Sequence, residues 1–219
     1  MDFAHVVPLG RRCRTTHNLH QYFGIKESFP YDWYILPIKG VIRSLREGVD
    51  AGSIYDPAQM EPVRRDGKII HVLNNAYGLW HVHCFPHEAG SEFVREDWAD
   101  HLDKPLKRFE HTARRLKGLR DKVGPVLFVR EGRKSDKAED ILALDDAIRA
   151  FIGTTPYRLL LINFDPSRVP EGYDNIVVDE RPGLGWRGDG EAWSRALAST
   201  GYHVTQPWPA ATPSKASDC

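Results

Sequence analysis

A thiol stands close behind a glycine near the start of this 219-residue chain, in the run Gly10-Arg11-Arg12-Cys13-Arg14. Cysteine attacks carbonyl carbon as the thiolate, and both a helix N-terminus and neighbouring cations favour that form. Cys13 follows a short apolar run and precedes helix-forming sequence, with three arginines beside it, so both conditions are expected there. A strand–turn–helix setting of this kind also exposes the nucleophile of many α/β hydrolases. The plainer reading is that Cys13 packs in the core, since cysteine is among the most buried residue types. A thiol nucleophile needs a base within hydrogen-bond reach. The stretch Trp80-His81-Val82-His83-Cys84-Phe85-Pro86-His87 offers three imidazoles. In a strand His81 and His83 share one face, whereas His87 lies just past the strand end, a position that suits a general base. The alternative for each is a solvated or hydrogen-bonded structural histidine. The same cluster has a metal reading through His81, His83, Cys84 and His87. Cys84 would face away from the strand histidines, and no CxxC or HExxH pattern is present. A metal site therefore ranks below the cysteine–histidine reading, and neither metal nor cofactor is expected.

These groups need elements to position them. Residues 5–9 read as a short buried strand, and Cys13 to Phe23 as a helix stopped by Gly24. An aromatic, proline-rich loop (26–37) follows, then an amphipathic helix with Ile38, Ile42 and Leu45 inward. Residues 49–67 read as loop. Lys68–Asn75 and Gly78–Phe85 read as two strands about a turn. From about Arg95 to Lys122 the pattern is helical, with Pro105 expected to kink or divide it. After Gly124 apolar strands alternate with helices: 125–131, 137–153, 157–164, 175–180 and 191–200. Near-continuous apolar strands of this kind belong to a parallel sheet covered on both faces. The expected fold is therefore α/β, mostly parallel, with a helical and loop-rich insertion after the first strand–helix unit. It forms a single domain over 1–206 with a disordered tail over 207–219.

Four stretches, Pro8–Cys13, Gly24–Trp33, Phe85–Glu88 and Val126–Glu131, together resemble a bacterial family labelled "putative papain-like cysteine peptidase", a domain of unknown function. Gly10 and Cys13 match its Gly-x-x-Cys element. Ser28, Phe29, Pro30, Asp32 and Trp33 match its Ser-Phe-Pro-Phe-Asp-Trp box, with Tyr31 in place of Phe. His87 matches its His-Asp-Phe box, with Glu88 and Ala89 replacing Asp-Phe, and Phe128 and Arg130 match its Phe-x-Arg strand. The resemblance implies a Cys13–His87 pair in papain order. The third, orienting member is open among Asp32, Asn163, Asp165 and Glu88. Asp32 is preferred as a site residue, against an equal reading as a turn aspartate capping backbone N–H groups. Papain-like folds pair a helical half with an antiparallel half, and here the strand–helix alternation is the better guide to fold.

Arg130 ends a buried strand. Its fork can hold a substrate carboxylate or phosphate, or it can pair with an acidic helix. Arg181–Trp193, with four glycines and two tryptophans, reads as a loop closing over a ligand or as a surface connection anchored by a tryptophan. Backbone N–H groups around Arg14 would stabilise an oxyanion. A pocket lined by Trp33, Trp80 and Trp186 would suit a sugar face. Thirty basic residues balance thirty acidic ones, so no nucleic-acid surface is expected. No apolar run reaches membrane-spanning length, the N-terminus lacks a signal pattern, and three sparse cysteines do not make a disulfide framework. A cytoplasmic enzyme is expected, a cysteine hydrolase or acyltransferase acting on a peptide, amide or thioester. The rivals are a non-catalytic ligand- or glycan-binding domain and a metal-binding protein.

Overall fold

The computed structural model describes residues 1–122, 124–133 and 135–205. The chain opens with β1 (Asp2–Phe3), β2 (His5–Pro8) and α1 (Cys13–Phe23). Gly10 (φ 72°) and Arg11 (φ 77°) are both left-handed and turn the chain from strand into helix. Gly24, at φ 66°, closes α1 by donating its N–H to the His20 carbonyl. Then come α2 (Ile38–Arg46), α3 (Ala51–Ile54), β3 (Met60–Arg65), β4 (Lys68–Asn74), β5 (Leu79–His81) and α4 (Asp103–Lys117). The rest alternates: β6 (Val126–Glu131), α5 (Ala138–Ile152), β7 (Tyr157–Ile162), β8 (Asp174–Ile176), α6 (Gly190–Ala198) and β9 (His203–Val204).

The central sheet has the order β2-β6-β7-β8, and every pairing in it is parallel. Strand residues alternate between two cores. Val7, Val126, Phe128, Leu159 and Leu161 face α2, α4, α5 and the antiparallel sheet. Val6, Leu127, Val129, Leu160 and Ile162 face Leu19 of α1 and Trp193 and Leu197 of α6. Both faces are covered, which is why these strands carry no polar alternation. The expected α/β class holds, and Ile38, Ile42 and Leu45 are buried as expected.

The insertion between α1 and β6 differs in detail. It carries an antiparallel sheet, β3-β4-β5, whose first strand lies where a loop was expected. Pro62 and three charged residues disguise β3, and they are tolerated because it is an edge strand. The helix expected from Arg95 starts only at Asp103, after a 3₁₀ turn over Trp98–His101. Pro105 sits in the first turn of α4, where its missing N–H costs nothing. β5 ends at His81, short of the expected Phe85, and β8 is earlier and shorter than 175–180. The two-residue parallel pair β1–β9 was not anticipated. The tail expected over 207–219 lies outside the described residues.

Candidate active site

Cys13 is the first residue of α1, at the C-terminal end of β2, and is 9% exposed. Arg12, the residue before the helix, gives it no side-chain cap. First-turn N–H groups are thus left without that partner, as at anion-binding helix starts. The arginines are not all turned toward the sulfur. Glu131, buried at the end of β6, accepts from Arg14 Nε (3.1 Å), Thr15 Oγ1 (2.8 Å) and Arg11. Burial pushes its carboxyl upward, but the hydrogen bonds and charges of Arg14, Thr15 and Arg11 hold it below the usual range. Arg14 Nη1 also donates to Glu180 Oε2 (2.6 Å). Two of the three cations expected to activate the thiol are therefore largely neutralised by carboxylates, and Arg12 is exposed.

Arg130 points to the opposite face of β6 from Glu131 and is fully buried. Its Nη1 donates to the Leu9 carbonyl at 2.7 Å, while Nε and Nη2 have no partner. Burial lowers its pKa to about 10, opposed by the charge of Asp136. The expected acidic-helix ion pair is not what holds it.

The three expected histidines differ in their surroundings. His81 is buried against Tyr34, Tyr55 and Phe85, and burial pulls its pKa down to about 3. His83 lies beyond β5, lowered by burial and by His87. His87 is exposed and forms a bridge to Val94, itself bridged to Ile69 of β4. His87 is thus anchored to the antiparallel sheet, and Cys13 to the edge of the parallel one. Among the described residues no three of His, Cys, Asp and Glu are grouped where they could hold a metal ion.

The imidazoles that share a face with Cys13 are on its own helix. His17 and His20 follow at i+4 and i+7, within roughly 60° of arc and about 6 and 10 Å along the axis. The His17 ring is lowered by partial burial and by Arg187, so it favours the neutral form. His20 Nε2 lies 3.9 Å from Asp32 Oδ2. Burial pulls His20 down to about 4 and pushes the Asp32 carboxyl well up. Asp32 also accepts the Phe29 N–H at 2.9 Å, so its turn-capping role and its contact with an imidazole coexist. Of the candidates for an orienting group, Asn163 accepts from the Val178 N–H, Asp165 caps Ser167, and Glu88 pairs with Lys68. Among the described residues, Asp32 alone of these four lies within ion-pair distance of an imidazole, and that ring is His20. His17 and His20 were missed in the sequence, although their four- and seven-residue spacing from Cys13 was the available signal.

A family model described as "Putative papain-like cysteine peptidase (DUF1796)" matches residues 4–167. The chain belongs to this family. A relative, "Uncharacterized protein R408" of Acanthamoeba polyphaga mimivirus, is 21% identical over 218 residues, covering 87% of this chain and 96% of that protein. No solved structure matches. The papain-like cysteine peptidase match takes in Cys13, His17, His20, Asp32, His87 and Arg130, and stops before Glu180 and Trp186.

Outside the family match, Trp186 is 56% exposed and sets its ring edge-on to His17, with centroids 5.3 Å apart. The anchoring tryptophan of its loop is Trp193, which is 1% exposed and donates to Glu180. Trp33 stands edge-on to His20 and lines a cleft; Trp80 packs on His71. Only Trp33 of the three lines that cleft, so the expected three-tryptophan sugar pocket is not assembled there.

Proposed function

We propose that the protein is a cysteine-dependent hydrolase or acyltransferase in which Cys13 is the nucleophile. The observation that carries this is a cysteine at the uncapped first position of α1, behind two consecutive left-handed residues. A left-handed arginine is a costly conformation, and such strain collects at functional sites. Family membership supports a cysteine hydrolase at the level of class. His17, on the same helix face and neutral near pH 7, is the nearest proton acceptor along the helix. Backbone N–H groups at the start of α1, around Arg14, would receive the oxyanion. Trp186 and Arg130 are proposed to contact a peptide, amide or thioester substrate, Arg130 through its two unpartnered donors.

His87 and Asp32 stay in the proposal with different weights. His87 corresponds to the family's histidine box and is the second candidate for the base. Asp32 is proposed as the group that positions His20. A reducing cytoplasm is proposed as the compartment, since neither Cys13 nor Cys84 is in a disulfide.

The test is activity-based labelling with acyl electrophiles, followed by turnover of any substrate found. Cys13→Ala should abolish both. His17→Gln should slow acylation by roughly 100-fold or more, within the range general-base catalysis supplies, while His87→Gln should change it little. Full turnover by Cys13→Ala would end the proposal, and the reverse order of the two histidine variants would move the base to His87.

A further inference from the structure

A solvent-open cleft of about 560 Å³ lies between residues 28–34, the segment after β5 and the first turns of α4. That figure includes space open to solvent. The lining is mostly apolar and aromatic, with the rings of Phe29, Trp33, Tyr34 and Phe109 in it. Among the described residues its charged groups have one sign: Lys104 and Arg108 line it, and no carboxylate does. The two cations are one turn apart on α4, and the helix N-terminus adds partial positive charge of the same sense.

The cleft also contains a thiol and an imidazole, Cys84 and His83. The Tyr55 hydroxyl donates to Cys84 Sγ at 3.6 Å and lies 2.6 Å from the Tyr34 hydroxyl. A donor aimed at sulfur favours its charged form, as do cations nearby. Reactive cysteines occupy electropositive, partly exposed surroundings. Cys84 is half-buried in such a setting, whereas Cys13 is buried beside a neutralised arginine cluster.

We propose that this cleft is a binding site for a small organic carboxylate with a flat apolar body, and that Cys84 is the thiol such a ligand covers. The apolar body lies against Trp33 and Phe109, and the carboxylate meets Lys104 and Arg108. The inference stands apart from the role of Cys13, since none of the lining residues belongs to α1.

The experiment measures alkylation of Cys84 in the full chain by anionic iodoacetate and neutral iodoacetamide, read by peptide mass spectrometry, with 2-mercaptoethanol as reference thiol. The iodoacetate-to-iodoacetamide rate ratio at Cys84 should exceed the reference ratio about tenfold at low salt. It should fall toward the reference in the Lys104→Gln/Arg108→Gln double variant, whose positions are exposed and leave the core untouched. Added 2-naphthoate should slow alkylation of Cys84 in the wild type, and do so at least tenfold more weakly in the double variant. A ratio equal to the reference, no protection by millimolar 2-naphthoate, or protection indifferent to the two substitutions would each overturn the proposal. Alkylation of Cys13 in the same digests reports separately on the hydrolase reading.

Discussion

Two buried imidazoles and one buried carboxyl set how this protein answers to acid. His20 is lowered from 6.5 to about 4 and His81 from 6.5 to about 3, so the folded state keeps both neutral while the unfolded chain binds a proton below about pH 6.5. Stability from each is present above the unfolded value and is lost as pH falls toward the folded one. Asp32 acts in the opposite sense. Its raised carboxyl stabilises the fold at low pH, and that contribution disappears as pH rises through its folded value. His20→Gln should therefore flatten the stability profile between about pH 6.5 and about pH 4, removing about 3 kcal/mol of acid loss. Urea titrations at a series of pH values check this, and an unchanged slope would refute it. Glu131 is the other sensitive residue. Glu131→Gln leaves Arg14 and Arg11 without their buried carboxylate, at an expected cost of about 3–5 kcal/mol. A thermal or urea midpoint equal to wild type would show that Glu180 alone suffices for Arg14.

At the scale of elements, steric room competes with backbone preference. Gly40 lies within α2, and helix propensity alone predicts that Gly40→Ala gains about 1 kcal/mol. The added Cβ would come 2.2 Å from the Tyr77 carbonyl oxygen and 2.6 Å from Leu36 Cδ1. Backbone cannot give way so cheaply, so the substitution should destabilise by about 1–3 kcal/mol. A raised melting temperature would mean that α2 shifts freely against the Tyr77 turn. Pro105 shows the same competition resolved the other way: it stands in the first turn of α4, where no hydrogen bond is lost. The periodicity of residues 95–122 carried the helix but not its start, because Trp98–His101 shares the apolar spacing and forms a 3₁₀ turn. β3 was illegible for a different reason. An edge strand needs few apolar residues, so Glu61, Pro62, Arg64 and Arg65 read as loop.

Across the whole molecule, residues 1–3 and 201–205 close on each other. The Met1 amino group donates to the Gly201 carbonyl, and β9 pairs with β1 beside Phe3, which is fully buried with Tyr202 against it. Phe3→Ala should cost about 3–5 kcal/mol, and amide exchange at His203 and Thr205, whose N–H groups bond to Met1 and Phe3, should accelerate more than exchange in β6. Equal acceleration in both would mean that the terminal pair is not a separate unit. The two cores on either side of the parallel sheet also separate chemistry: Glu131 and α1 lie on one face, Arg130 on the other.

The sequence by itself determined what local pattern controls. Period and apolar continuity gave the α/β class, the parallel strands and the limits of α1, because burial on two faces leaves no other composition for a strand. It also identified Cys13 at a helix start, since glycine, turn and helix signals are contiguous there. The tertiary structure decided which side chains meet. It directed Arg11 and Arg14 to Glu131, set His20 beside Asp32, and anchored His87 to the antiparallel sheet. The pairings with Glu131 join residues 120 and 117 positions apart along the chain, and only packing of the sheet and helices fixes them.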